Sequence, residues 1–160
     1  MDLFLTDIQI QELVNINKQM TVDPDSLFIG MKEKRGHKSA EHEIPQDDGS
    51  SFVIKVRISL ENPLDFSVIL GYTPAKATKP FLLRRYNGRS HEHKNRLEKE
   101  EVFYDYHIHQ ATERYQREGS KEEYFAEKSG RYTTPREALN CLITDCSISL
   151  PPESQLKLSL

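Results

Sequence analysis

The segment SFVIKVRISL, residues 51–60, constrains the fold most strongly, because apolar and polar residues alternate through it. Phe52, Ile54 and Val56 fall on one side of an extended chain, and lysine, arginine and serine residues fall on the other. That period of two is typical of a β-strand with one buried and one wet face. After a short turn, DFSVILGY at residues 65–72 repeats the pattern. The two segments therefore predict successive antiparallel strands.

Two more strands are predicted further along the chain. FLLRRYNG (residues 81–88) is the third and VFYDYHIHQATERY (102–115) is the fourth, joined by a charged hairpin connection. Residues 26–33 are compatible with a strand, whereas residues 34–51 are polar and rich in turn formers. This second segment predicts a solvated loop that carries two histidines.

Helix signals flank the strands. Thr6 and Gln9 have the spacing of a capping box, which predicts a helix over residues 7–19. The segment TTPREALNCLITDC (133–146) combines a threonine cap, a proline at the first helical position and a glutamate two residues later. A short helix is also predicted to begin at Ser120.

This order of elements predicts an α+β domain. An antiparallel sheet of four to five strands is expected to pack against an N-terminal and a C-terminal helix. Residues 1–150 are expected to form a single domain, with residues 151–160 as a C-terminal tail.

Composition narrows the class of protein. The net charge is -3, so no global basic field favours nucleic acid, although a local basic patch can still do so. The chain contains no apolar run of the length that a membrane span needs and shows no signal peptide. Cys141 and Cys146 are expected to be reduced thiols. These features predict a cytoplasmic protein that does not enter the membrane.

Two His-x-His pairs are the most distinctive feature of the sequence. His91 and His93 precede the fourth predicted strand, and His107 and His109 lie within it. One antiparallel register places His91 opposite His109 and His93 opposite His107. Directly opposed side chains on one sheet face have Cβ atoms about 5 Å apart. The register therefore predicts that four imidazoles converge on one wet sheet face.

Several interpretations follow for such a cluster. The four histidines could be solvated surface residues, or they could bind zinc through imidazole nitrogens. They could also supply the base and the acid that cleave a phosphodiester. Cations are dense nearby, and arginine binds phosphate through two parallel hydrogen bonds. The same register extends the histidine face to the remaining candidates: Arg85, Asn87, Arg89, Glu113 and Tyr115.

The segment FLLRRYNGRSHEHKN…FYDYHIHQATERYQ, followed by a helix that ends in CLITDC, resembles a widespread family of small prokaryotic proteins. The likeness covers about residues 80–146. More distantly, the Arg-Tyr-Asn motif and the histidines resemble TumE-like toxins of toxin–antitoxin modules. That resemblance implies a role for Arg85, Tyr86, Asn87 and the four histidines, and it implies a cognate antitoxin protein as partner.

The leading prediction is a ribonuclease-like toxin or defence protein that cleaves RNA without a metal cofactor. His91, His93, His107 and His109 are its candidate catalytic residues. The predicted RNA-binding residues are Arg85, Asn87, Arg89, Glu113 and Tyr115. One alternative is a zinc protein or hydrolase that uses the same four histidines as ligands. Another is a non-enzymatic domain whose polar sheet face binds a partner protein.

Overall fold

The computed structural model describes residues 2–154 of the chain. Most of the predicted tail, residues 155–160, lies outside the described residues. In chain order the elements are α1 (Asp7–Asn15), β1 (Lys18–Gln19), a 3₁₀ helix (Pro24–Phe28), β2 (Lys32–Lys34), β3 (His37–Pro45), β4 (Ser51–Ser59), β5 (Phe66–Thr73), β6 (Phe81–Asn87), β7 (His107–Gln110), α2 (Glu113–Arg117), β8 (Ala126–Lys128), α3 (Pro135–Asp145) and β9 (Ile148–Ser149).

Across residues 2–154 the strands form two sheets. β1 and β9 pair in parallel, and the other seven strands form one antiparallel sheet in the order β2-β3-β4-β5-β6-β7-β8. Within this sheet, each strand from β2 to β7 pairs with the next strand in sequence. The α+β class is confirmed, with helices near both ends of the described chain. The expected count of four to five strands is wrong, because three short or polar strands escaped the hydrophobic pattern.

The largest of these additions is β3, which occupies part of the predicted loop. Its residues pair with β4 along their whole length, from His37 opposite Ser59 to Pro45 opposite Ser51. Only Ile44 in β3 is buried, so apolar alternation is nearly absent. This strand forms because its backbone hydrogen-bonds to β4, and such pairing cannot be predicted from the pattern of its side chains.

The N-terminal helix α1 begins as predicted. The Thr6 hydroxyl accepts from the Gln9 amide, and the Gln9 side chain accepts from the Thr6 amide, which completes the capping box. The helix ends at Asn15 rather than at residue 19, because Lys18 and Gln19 pair with β9 instead.

The C-terminal helix α3 also begins as predicted, with Thr134 accepting from the Glu137 amide and Pro135 in the first turn. It packs against β5, β6 and β9 and buries Ala138, Leu139 and Leu142 in the core. The helices described are short, and none of them is long and apolar enough to cross a membrane.

The segment after β6 departs most from expectation. The fourth predicted strand is reduced to β7, four residues long, because Thr112 ends the extended chain and caps α2. No helix begins at Ser120 in the described chain. Gly119 adopts a φ of 74°, which ends α2, and residues 120–125 form an irregular loop.

The predicted register between β6 and β7 is wrong. Arg85 lies opposite His109, and Asn87 lies opposite His107. β6 ends at Asn87 because Gly88 passes so close to the Leu64 carbonyl that a Cβ atom would collide with it. Residues 88–106 therefore leave the sheet and return to it as a long excursion, which is tied together by an isolated bridge between His93 and Phe103.

Successive side chains of β6 point to opposite faces of the sheet, one covered by α3 and the other carrying the histidines. Tyr86 is opposite Val68 and Ile108 and joins the core beneath α3. Its neighbour Arg85 is opposite His109 and must point to the other face, because successive strand residues alternate. The face opposite α3 therefore carries Arg85 together with the histidines of β7.

Candidate active site

The four histidines lie together, although not through the predicted register. The ring centroids of His107 and His109 are 4.9 Å apart, and those of His93 and His109 are 5.0 Å apart. His91 and His93 lie 5.3 and 5.6 Å from the His107 ring. The excursion over residues 88–106 brings the first pair back over the sheet. Side-chain convergence thus arises from a folded loop and not from hairpin pairing.

The expected open, wet face is also wrong for most of the cluster. His107 is fully buried, and the side chains of His109 and His93 are 3% and 8% exposed. Only His91 is exposed to solvent. The excursion, through His93 and its neighbours, packs over the His107 and His109 rings, so the sheet face is not a free surface at this point.

His107 is held on both of its nitrogens. Its Nδ1 lies 2.7 Å from the Asp105 carbonyl oxygen, which can only accept, so this nitrogen carries the proton. Its Nε2 lies 3.4 Å from the Asn87 side-chain nitrogen, which donates to it. Asn87 is fixed in turn because its side-chain oxygen accepts from the Ser67 hydroxyl at 2.9 Å. His107 therefore has no free ring nitrogen for a ligand, and its role in the site is structural.

His109 has one free nitrogen. Its Nδ1 donates to the Tyr124 carbonyl oxygen at 3.2 Å, which leaves Nε2 of the neutral ring as a bare lone pair. That Nε2 atom is buried and has no hydrogen-bond partner within residues 2–154. Leaving such an atom unsatisfied costs about 1–3 kcal/mol. A bound ligand or water that donates to Nε2 would recover this free energy.

His93 is oriented by Asn95. The Asn95 side-chain oxygen already accepts from the Ala126 amide at 2.9 Å, and it lies 2.8 Å from His93 Nε2, which must therefore donate. The Asn95 nitrogen donates to the Ala126 carbonyl at 2.7 Å and to Glu100 at 3.0 Å. This buried amide fastens the excursion to the edge strand β8 and fixes the His93 ring.

A buried ion pair lies beside His109. An Arg85 terminal nitrogen is 3.2 Å from Glu123 Oε2, and the Glu123 side chain is 1% exposed. Among the described side chains, neither Arg85 Nε nor Glu123 Oε2 has a hydrogen-bond partner. Three neighbouring residues therefore each carry a buried polar atom without a hydrogen bond to any described residue. The donor is Arg85 Nε, and the two acceptors are Glu123 Oε2 and His109 Nε2.

Arg85 and His109 also line an open cleft of about 500 Å³. Its lining combines histidines with cations from the 88–106 excursion, from β6 and from the loop after α2. The lining residues are Arg85, His91, His93, Arg96, His109, Gly119, Ser120, Lys121 and Tyr124. The Arg96 guanidinium lies 4.7 Å from the Tyr124 ring centroid and contacts the Ser120 hydroxyl. Such a lining suits an anionic ligand.

Burial keeps the imidazoles neutral. Desolvation lowers the pKa of His107 to about 4. Desolvation, together with the neighbouring Arg85 cation, lowers the pKa of His109 to about 2. Burial likewise lowers the pKa of His93. At neutral pH these rings therefore present lone pairs and N–H groups rather than positive charge.

Of the predicted RNA-binding residues, Arg85 alone lines this cleft. Asn87 is buried beneath His107, and exposed Arg89 donates to the Tyr104 carbonyl oxygen at 2.9 Å. Glu113 pairs with Arg117 on α2 at 3.3 Å.

Tyr115 is fully buried and anchors the excursion. Its hydroxyl donates to Glu98 at 2.6 Å and accepts from the Leu97 amide at 3.2 Å. Glu98 also contacts Arg114. The aromatic ring thus holds residues 97 and 98 in place and is not available to stack on a base.

The sequence interpretation missed Glu123, Tyr124, Lys121 and Asn95. The first three lie in the segment where a helix is predicted to begin at Ser120, and a helix gives no indication that Glu123 turns inward. Asn95 falls two residues after His93, but no spacing rule identifies an amide that bonds across to β8. A contact between segments about thirty residues apart leaves no local signal.

For the zinc alternative, the described residues contain no group of three or more His, Cys, Asp or Glu side chains arranged to hold a metal ion. Both cysteines are free thiols buried near α3, away from the cleft lining.

Comparison of this chain with protein-family models, with curated proteins and with solved structures finds no match.

Proposed function

We propose that this protein cleaves RNA by histidine acid–base chemistry in the cleft, without a metal ion. The observation that carries the proposal is a pair of buried atoms, unpartnered within the described chain, on two residues that line the cleft. Arg85 Nε can only donate and neutral His109 Nε2 can only accept, and the two residues face each other across β6 and β7. A ribonucleotide offers both complements, since its phosphate oxygens accept and its 2′-hydroxyl donates.

The roles follow from this arrangement. Arg85 binds a non-bridging oxygen of the scissile phosphate, and Arg96 and Lys121 add positive charge at the rim. His109 Nε2 takes the proton of the 2′-hydroxyl as its oxygen attacks the phosphorus. A phosphate anion bound beside the ring raises the pKa of His109 from its low value, because the anion stabilises the imidazolium.

The leaving group needs a proton in return. As the 2′-oxygen–phosphorus bond forms, the bond to the 5′-oxygen breaks, and exposed His91 at the cleft donates a proton to that oxygen. The products are a 2′,3′-cyclic phosphate and a free 5′-hydroxyl. His93 packs against His109 with ring planes 85° apart and positions it. His107, bonded on both nitrogens, supports the ring from behind.

The substrate class can be tested directly. Protein treated with a chelator should cleave an RNA oligonucleotide and leave the all-deoxy oligonucleotide of the same sequence intact, with cyclic phosphate ends on the products. His109→Gln should lower kcat/KM about 1,000-fold, in line with the loss of a general base. His37→Gln, on β3 four strands away from β7, is the matched control and should retain full activity.

Other outcomes separate the alternatives. Equal cleavage of RNA and DNA, or an unaffected His109→Gln variant, would contradict the proposed reaction. Stoichiometric zinc in untagged protein that is lost in His91→Ala would favour the metal site instead. A protein that is free of metal and cleaves nothing would favour the non-enzymatic partner-binding alternative.

The biological setting is a further part of the proposal. The resemblance of the histidine motifs to TumE-like toxins supports a role in a toxin–antitoxin or defence module. A cognate antitoxin would then suppress the activity by covering the cleft. Expression of the protein should arrest growth, and expression of His109→Gln should not.

A further inference from the structure

A second, larger groove lies next to the cleft and shares lining residues with it. Its volume is about 1110 Å³, and residues 74–81 and the N-terminal segment 2–4 form much of its lining. Gly119 and Ser120 line both the groove and the cleft. A ligand longer than one nucleotide can therefore extend from the proposed reaction centre over this shared edge into the groove.

The groove offers an aromatic surface. Phe4 lines it with 45% of its surface exposed, and Leu3 beside it is 38% exposed. The Arg117 guanidinium lies 5.3 Å from the Phe4 ring centroid. Exposed aromatic rings next to cations are the usual platform on which single-stranded bases stack, because every base has a π face.

Charge in the groove is balanced rather than strongly positive. Lys76 and Lys79 are exposed on the loop between β5 and β6, and Asp2 and Glu122 also contribute to the lining. One Glu122 carboxylate oxygen accepts from the Leu82 amide at 3.1 Å, so it is engaged by β6. Stacking should therefore contribute more to binding than phosphate contacts do.

We infer that the groove binds the nucleotides that flank the scissile phosphate, so that the substrate is single-stranded RNA longer than a dinucleotide. Phe4 stacks on a flanking base, and Lys76 and Lys79 contact one or two phosphates. A duplex has its bases already stacked and cannot present one to Phe4. The inference rests on the proposed function for its substrate class, but it concerns binding and not the chemical step.

Binding can be measured separately from cleavage. The probes are fluorescent 2′-fluoro RNA oligonucleotides, which cannot cyclise, as a trinucleotide and as a strand of about 12 nucleotides. The longer strand should bind at least about tenfold more tightly than the trinucleotide and than a duplex of equal length. Phe4→Ala should remove most of that tenfold difference. Ile8→Ala, which removes a 73% exposed side chain outside the groove, should not.

The lysines provide an independent measurement. Replacing Lys76 and Lys79 with glutamine should reduce the slope of log affinity against log salt by about 1.4, the value for two phosphate contacts on a single strand. Replacing Lys32 and Lys34 with glutamine, on the edge strand β2, should leave the slope unchanged. Phe4→Leu, which keeps apolar packing but removes the ring, serves if Phe4→Ala is poorly folded.

The outcomes distinguish this inference from the proposed function. Cleavage without any effect of strand length, or equal affinity in Phe4→Ala and Ile8→Ala, overturns the groove as a binding site and leaves the reaction standing. Length-dependent binding that requires Phe4, without cleavage of any RNA, supports the groove and removes the ribonuclease.

Discussion

Two arginine–carboxylate pairs lie on opposite faces of β6, and they differ in how completely their polar atoms are used. On the α3 face, Arg131 donates two hydrogen bonds of 2.8 Å to Asp145, which also accepts from Tyr86 at 2.6 Å. On the other face, Arg85 approaches Glu123 at 3.2 Å, and an atom of each is left without a partner among residues 2–154.

The difference in hydrogen bonding suggests different roles for the two pairs: the Arg131–Asp145 pair stabilises the fold, and the Arg85–Glu123 pair is part of the candidate site. A saturated network contributes to stability and has no capacity for a ligand, whereas unsatisfied buried atoms cost free energy that a ligand can restore. Arg85 and Tyr86 are adjacent in sequence, so the contrast is between faces of one strand and not between regions of the chain. We therefore expect changes on the α3 face to alter stability and changes on the histidine face to alter binding and catalysis.

The largest expected effect is the pH dependence of stability, which sharpens the comparison because the loss of stability begins at a higher pH for the histidine face than for the α3 face. Unfolded histidine binds a proton below about pH 6.5, whereas His107 stays neutral in the folded protein to about pH 4 and His109 to about pH 2. Because the unfolded state binds more protons in this range, the free energy of unfolding should fall as pH falls. From pH 6.5 to pH 5 the loss should be about 2 kcal/mol for each ring.

The α3 face should respond at lower pH. Hydrogen bonds from Arg131 and Tyr86 hold the pKa of Asp145 below its usual range despite burial. Its contribution is thus complete above the unfolded pKa of about 4 and is lost as the pH falls below it. Urea unfolding at several pH values measures both ranges. His109→Asn should reduce the slope above pH 5, and the part that remains comes from His107 and the other buried rings, such as His93. A stability that is flat between pH 7 and pH 5 would mean that the rings are not buried as described.

The second effect tests whether the two arginines are interchangeable. Arg85→Lys should lower kcat/KM for RNA about 100-fold, because lysine is a point charge that cannot reproduce the directed Nε donor. Arg131→Lys is the matched variant and should leave cleavage unchanged. Steady-state kinetics on one RNA oligonucleotide compares them. Equal losses in the two variants would break the distinction between the faces.

The smallest effect exchanges each carboxylate for its amide. Asp145→Asn should lower the free energy of unfolding by about 2 kcal/mol, mainly because it weakens the bonds of the buried Tyr86 hydroxyl, since Arg131 is half exposed. Cleavage by the folded variant should remain normal. Urea unfolding and kinetics are measured on the same preparations.

The paired variant is Glu123→Gln. It should also lower the free energy of unfolding, because it leaves the Arg85 cation without its buried counter-charge. Unlike Asp145→Asn, it should lower cleavage as well, because Arg85 loses its orientation. A large loss of stability in Glu123→Gln with normal cleavage would reverse the roles assigned to the two pairs.

Some of the candidate site follows from the sequence, although for an incomplete reason. His-x-His spacing puts each pair on one side of an extended chain, and the structure brings all four rings together. The route is different, because the turn at Gly88 and the bridge at His93 replace the expected hairpin. The pattern of hydrophobic residues cannot predict the register between β6 and β7, because the segment that connects them folds back over the sheet.

The sequence by itself determined the helix caps at Thr6 and Thr134, the strands β4 and β5, and the density of histidine and arginine around residues 84–114. These features depend on interactions between residues close together in sequence, so the local sequence is enough to predict them. Only the tertiary structure decided that β3 is a strand, that Glu123 turns inward to Arg85, and that His109 keeps a free lone pair while His107 does not. Each of these depends on backbone or side-chain partners far away in the chain, and burial, which sets their energies, exists only once the sheet and its covering loop have formed.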